Sequence, residues 1–363
     1  MESAIDKYKI ESEVVKKTQR KYSIDILKFL ASIAVVLIHI TSNYRPYEFM
    51  PNTGIWDVEL GIYYLSKWSV PVFVMCSGYF LLNDKQELSY NEFIKKRLSK
   101  ILIPFIAISM IFTLYYQNIG GNIDIKWAIV GLVKNILGYP ASAHLWFLYP
   151  LIGVYLLTPL FKGLIEKIDV RIVISLSLIL ILAKTIAPFT DLITQDQYNY
   201  WRDVPLATNA FAIYFILGGY LGRVELKTIH KVVIYISTIV VGIIGFFAIY
   251  KLDILYNRNL EVLLDISSIN NLLISISVFI FFKDIKKINN IKNRFIKFIF
   301  STLSEINFGV FLFHPLFIDI LKSYSNYTGN IIIDIFKQLL MVYATTGLFV
   351  FIIKRIPLLK KIA

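Results

Sequence analysis

Asp25, Lys28, Ser32 and His39 all fall within one apolar stretch, YSIDILKFLASIAVVLIHITSN, residues 22–43. On an α-helix each residue turns by about 100°, so Lys28 and His39, eleven positions apart, return to within about 20° of each other. Ser32 falls about 20° from His39 and Asp25 about 40° to the same side, which makes a single polar stripe along an otherwise greasy helix. Charged and titratable groups are costly in lipid, so the stripe must face protein or a watery path. A neutral imidazole there can take a proton from a hydroxyl, and an ammonium can hold an anion. His39 could instead be an interhelical hydrogen-bonder, but it shares its face with Lys28 and Ser32 at a spacing suited to one elongated ligand, which favours catalysis. Asp25 stands about 21 Å from His39 along the helix, too far to orient it, and is expected to pair with Lys28 or cap the helix start.

The remaining polar residues in apolar stretches each carry two readings. His314 sits in FLFHPLF, where a histidine before proline can satisfy a freed backbone carbonyl as readily as it can do chemistry. His144 opens a span beside Trp146 and reads as interfacial, with a gate or acceptor-site role as the sharper alternative. Lys67 enters the second span next to Trp68, where a lysine can snorkel to the headgroups. Ser77 and Gly78 lie mid-span; either they permit close helix packing, or Gly78 lets an extended ligand pass and Ser77 hydrogen-bonds it. His230, among Lys227 and Lys231, reads as a solvated loop residue, and Glu305 as an interfacial charge. No metal is expected, because the sequence lacks the paired His, Glu or Cys spacings that would supply neighbouring ligands. The G-x-S-x-G nucleophile elbow is absent too, which disfavours an acyl-serine enzyme of the soluble-hydrolase kind.

The elements that position these residues are membrane helices. At 363 residues, 56% hydrophobic and 17% charged, with a mean hydropathy of +0.63, the chain is far more apolar than a soluble domain. Spans of bilayer length can be drawn at 24–42, 62–82, 101–117, 145–161, 172–188, 208–222, 232–250, 262–282, 298–321 and 331–353. The expected fold is therefore all-α and polytopic, with about ten transmembrane helices. Most of the 38 Lys and Arg then collect on the N-terminal side and in the loops after even-numbered spans, so the positive-inside rule sets both termini inside. Residues 1–22 read as a cytoplasmic tail, too long and polar for a cleavable signal, and 23–363 as one transmembrane domain. The net charge of +13 is dispersed over inner loops, which argues against nucleic acid as a partner. One cysteine, Cys76, excludes an internal disulfide. Trp127, Tyr139, Tyr198, Tyr200 and Trp201 sit in the longer outward loops, as headgroup anchors or as a sugar-stacking mouth.

DILKFLASIAVVLIH resembles the opening signature of the integral membrane acyltransferase 3 family, with an Asp, a basic residue and a His spaced along the first span. KWSVPVFVMCSGYFLL (67–82), KKRLSKILIPF (95–105), HLWFLYPLIGVYLLTPLF (144–161), YFILGGYLGR (214–223) and FGVFLFHPLF (308–317) continue the resemblance in the family's order over nearly the whole chain. Two departures stand out. Lys28 replaces the family's usual Arg, and Lys100 replaces the second Arg of its R-x-x-R motif, which keeps the cation but loses the planar fork.

The resemblance, to the stand-alone O-acetyltransferases of bacterial surface polysaccharides, including the enterobacterial common antigen, implies a multi-pass protein of the bacterial inner membrane. It implies acetyl-CoA or another acyl-CoA as co-substrate and a glycan or lipid-linked sugar as acceptor, with His39 as the catalytic base. Lys28, Arg97 and Lys100 would hold the donor's phosphates, helped by Lys95 and Lys96, with Asp25 and Ser32 beside them. His314, His144, Trp146, Lys67 and Ser77 are the further catalytic or acceptor-site candidates. The spacing is compatible with this: Lys28 to His39 is about 16 Å along the helix, close to the length of a pantetheine arm. A transporter or flippase of a lipid-linked glycan would share the helices and the buried polar groups, and is the rival reading.

Overall fold

The computed structural model describes residues 20–42, 51, 53–85, 89–121, 123–169, 172, 175, 177–179, 181–182, 207–257, 265–322, 328–357 and 359–362. Helix is the only regular secondary structure among them. In chain order the helices are α1 (Tyr22–Ser42), α2 (Gly54–Ser66), α3 (Ser69–Leu81), α4 (Tyr90–Ile119), α5 (Ile125–Ile136), α6 (Ala143–Leu156), α7 (Thr158–Lys167), α8 (Ala207–Arg223), α9 (Thr228–Tyr256), α10 (Ile269–Asp284), α11 (Lys286–Asn289), α12 (Arg294–Lys322) and α13 (Ile331–Ile353).

Five of these, α1, α4, α9, α12 and α13, are long and apolar enough to cross a membrane, and α6 with α7 makes a sixth if that pair, bent by 58°, is one span. The protein is a multi-pass membrane protein. The other expected spans are shorter or interrupted. The stretch 62–82 is not one helix, because Pro71 has no N–H to bond the carbonyl of Lys67; α2 ends there, and α3 restarts with the proline in its first turn. Pro159 does the same at the second position of α7 and sets the bend after Leu156. α8 and α10, where spans at 208–222 and 262–282 are expected, have 17 and 16 residues. The stretch 172–188 lies mostly outside the described residues, as do Tyr198, Tyr200 and Trp201.

α1 is the axis of the molecule. It packs against α2, α3, α12 and α13, and Leu27, Ala31, Val36 and Ile40 are completely buried. Neighbours on several sides give the polar stripe the protein surroundings it requires. At its start, Ser23 exchanges hydrogen bonds of 3.1 Å with Asn289 of α11, so the beginning of α1 and the α10–α12 connection share one end of the bundle.

α3 and α8 approach each other closely. A Cβ on Gly78 would sit 1.8 Å from the carbonyl oxygen of Phe215, and one on Gly218 would sit 2.0 Å from that of Met75. Backbone lies on backbone, as small residues allow. Arg223 locks the pair by donating to Leu82 O at 2.7 Å and to Asn83 Oδ1 at 2.8 Å, while Asn83 Nδ2 donates to Gly219 O at 3.0 Å. Gly78 is thus spent on packing and leaves no passage for an acyl chain.

Candidate active site

The stripe on α1 opens onto two cavities. The first, of about 400 Å3, is lined by Lys28, Arg97 and Lys100 together with Ser77, Phe80, Tyr155 and Asn307. Arg97 lies in a π-helical turn, Ile94–Leu98, inside α4, a local widening that often accompanies function. Its Nη2 donates to Asp84 Oδ2 at 2.6 Å. Lys28 Nζ lies 4.4 Å from the centre of the Phe80 ring. Three cations on one wall give a cavity suited to a phosphate-bearing ligand. Lys95 and Lys96 are exposed and do not line it, because the turn carries them to the outer face of α4.

The two other stripe residues are held by partners outside α1. Asp25 does not pair with Lys28. It accepts from Arg20 Nε at 2.6 Å and from Ser304 Oγ of α12 at 2.7 Å. The arginine just before the helix offers a better-placed donor than a lysine one turn along, whose ammonium rests on Phe80 instead. Ser32 donates to Phe29 O at 2.7 Å; it therefore accepts from Tyr343 OH at 2.6 Å and from the Asn307 amide, turned to present its nitrogen, at 3.2 Å. This joins α1, α12 and α13, with Asn307 carrying the connection to the cavity wall. Ser77 lines the basic cavity, with its hydroxyl donating to Phe73 O at 3.1 Å and accepting from Tyr155 at 3.3 Å.

The second cavity, of about 220 Å3, is lined by His39, His144, Lys67, Trp146, Tyr63, Asp265 and Asn271 among others. Three of the four histidines meet here. The ring centres of His39 and His314 are 5.0 Å apart, those of His144 and His314 5.5 Å, and those of His39 and His144 6.3 Å. His144 is buried, since the 3-10 turn that opens α6 carries it inward against α12.

Hydrogen-bond partners separate the three roles. A carbonyl only accepts, so His144 Nε2 donates to Leu312 O at 3.0 Å, which leaves Nδ1 to accept from Ser142 Oγ at 3.0 Å. Both of its nitrogens are used, and it ties the turn to α12. Pro315 leaves Phe311 O without its helical partner, and His314 Nδ1 donates to that oxygen at 2.8 Å. The carbonyl-satisfying reading of His314 therefore holds for one nitrogen. The other, Nε2, is a buried lone pair with no partner among the described residues. His39, on the cavity wall, has no side-chain hydrogen bond among them either.

Lys28 in the basic cavity and the His39 imidazole in the second stand on one face of α1, about 16 Å apart by helical rise, a spacing that fits one extended ligand. The family model described as an acyltransferase domain matches residues 21–354. The chain belongs to that family, acyltransferase 3. No curated protein and no solved structure matches it. This acyltransferase carries Lys28 and His39 on separate cavities that share the walls formed by Phe147 and Phe311.

Several residues of the site were not singled out from sequence. Asn307 and Tyr343 are polar groups inside apolar spans, a signal that could have found them. Asp265 sits in a connection rather than a span, where an acidic residue carries no such signal. Phe147 and Phe311 are two phenylalanines among 27, and only the fold distinguishes them. Lys67 lines the histidine cavity with Nζ 4.0 Å from the Tyr63 ring centre. Trp146 is partly exposed at its rim. His230 is exposed, and Glu305 pairs with Arg355 at 3.8 Å. Trp127 and Tyr139 are exposed and line neither cavity.

Proposed function

We propose that this acyltransferase moves an acyl group, in the first instance acetyl, from acyl-CoA to a hydroxyl of a cell-surface or lipid-linked glycan in the bacterial cell membrane. The observation that carries the reading is the pair of cavities along α1, basic at Lys28 and imidazole-bearing at His39. The CoA phosphates would sit among Lys28, Arg97 and Lys100, and the thioester would reach His39 past Phe147 and Phe311. His39 takes the proton of the sugar hydroxyl as its oxygen bonds to the acyl carbon. The carbon–sulfur bond breaks, and the imidazolium returns the proton to the departing thiolate. Trp146 offers a flat ring to a sugar face, with Lys67 and Asp265 able to bond hydroxyls nearby. The test is incubation of the purified protein with labelled acetyl-CoA and cell-envelope glycan. Label in the glycan is expected; unmodified glycan with no donor consumed would point to a flippase.

Donor binding has its own expected result. Lys28→Ala and Arg97→Ala should each raise the KM for acetyl-CoA, by about tenfold for loss of one charge-assisted contact, while Lys28→Arg preserves or lowers it. Equal KM values in all three variants would remove these residues from the donor site.

In this reading the chain crosses the membrane about ten times, with the broken and shorter helices completing the count and both termini inside. The Ser23–Asn289 pairing and the bond from Lys162 Nζ to Asp84 O at 2.7 Å support it, because they gather the basic connections at one end of the bundle. With Cys76→Ser as background, Lys292→Cys should react with an impermeant thiol reagent only from the cytoplasmic side. Labelling from outside would overturn this topology.

A further inference from the structure

Phe147 and Phe311 are the two residues that line both cavities among the described residues. Their ring centres are 5.1 Å apart and the planes meet at 62°, edge to face, a favourable contact for aromatic rings. They come from different elements. Phe147 ends the 3-10 turn of α6, and Phe311 sits on α12. Each is backed by further rings: Phe211 behind Phe147 at 5.6 Å, and His144 and Phe73 near Phe311 at 5.8 and 6.4 Å. An ordinary core phenylalanine is surrounded by packed atoms. These two are buried yet border a cavity on each side, one basic and the other histidine-lined.

We propose that Phe147 and Phe311 form an aromatic septum through which the acyl-pantetheine arm is threaded, and that the septum shields the thioester from water entering by the basic cavity, which favours the sugar hydroxyl as acyl acceptor. The inference rests on the acyl-CoA reading. A base that deprotonates a sugar hydroxyl can equally activate water: the water oxygen bonds to the acyl carbon, the carbon–sulfur bond breaks, and the proton goes to the thiolate. The products are free carboxylic acid and CoA thiol. His39 cannot make that distinction by basicity, so exclusion of water has to make it. Before threading, the rings close the basic cavity against the histidine cavity. Once the arm is through, they pack on it and leave no continuous water path between the two.

The test compares the parent protein with Phe147→Ala, Phe311→Ala and the gentler Phe147→Leu and Phe311→Leu, all in lipid nanodiscs. CoA thiol release from acetyl-CoA is measured with and without glycan. The alanine variants should raise acceptor-independent release by about tenfold and lower the fraction of acyl groups reaching glycan, with the leucine variants between. A second measurement does not depend on turnover. Leu151→Cys, in the Cys76→Ser background, places a thiol on the basic cavity. In sealed vesicles, an impermeant reagent supplied on the His39 side should reach it only when Phe147 or Phe311 is truncated. If the parent protein consumes no acetyl-CoA, the donor reading fails, and this labelling still reports whether the rings form a barrier. Unchanged coupling in folded alanine variants, or Leu151→Cys labelled equally with both rings intact, would overturn the septum.

Discussion

His39→Ala is expected to lower acyl transfer by about a hundredfold to ten-thousandfold, the usual contribution of a general base, with binding of acetyl-CoA, the proposed donor, close to that of the parent. The separation of effects follows from where the residue sits. Lys28, Arg97 and Lys100 line one cavity and His39 lines the other, so removing the imidazole leaves the proposed donor contacts in place. His39 also makes no side-chain hydrogen bond among the described residues, so its loss orphans no buried partner there. His144 and His314 differ in this respect. Each bonds a backbone carbonyl of α12, and alanine at either position should reduce the yield of folded protein as well as activity, because a buried carbonyl loses its donor. Transfer rate and donor affinity measured on the same purified samples distinguish the cases. Near-normal transfer by well-folded His39→Ala would move the base to His314, whose Nε2 lone pair is the available alternative.

Gly78→Val, or Gly218→Val, is expected to abolish the folded protein. Even a single Cβ at Gly78 would overlap the Phe215 carbonyl, and at Gly218 that of Met75. In each case the obstacle is backbone, which no rotamer change can relieve. Overpacking typically costs about 1–3 kcal/mol where side chains can shift, and a rigid backbone clash exceeds that. The helices would have to separate along their length and release the Arg223 and Asn83 contacts. Gly61→Ala on α2 is the control, since a Cβ there meets nothing within 4 Å and removes glycine's backbone freedom from a helix interior. Thermal unfolding of detergent-purified protein should show a lost transition for the first two and an unchanged or raised Tm for Gly61→Ala. Parent-like unfolding of Gly78→Val would mean that α3 and α8 do not approach as described.

What could be read from sequence was what periodicity and charge encode. The placement of Lys28 and His39 on one face of α1 needs only 100° per residue, and the structure opens both onto cavities. The apolar stretches marked a membrane protein, but hydropathy does not register that Pro71 and Pro159 interrupt helices within them. Partnerships were harder. Asp25 takes Arg20 and Ser304 instead of Lys28, one of them 279 positions away, and helical geometry within α1 contains no information about α12. The convergence of His39, His144 and His314 was likewise invisible, because three histidines spread from α1 to α12 are united only by tertiary packing. Pro315 did announce a freed carbonyl, and His314 does bond it, yet the unpartnered second nitrogen emerges only once every neighbour is known.

In the proposed mechanism one donor, held at Lys28, delivers its acyl group at His39 to an acceptor on the opposite side of the membrane. The most direct measurement uses sealed proteoliposomes of defined orientation, with labelled acetyl-CoA on the Lys28 side and glycan on the His39 side. The expected result is label covalently attached to glycan across the bilayer, with transfer lost when the two substrates exchange sides. Transfer only when donor and glycan share one side, or none in any arrangement from a folded protein, would contradict it.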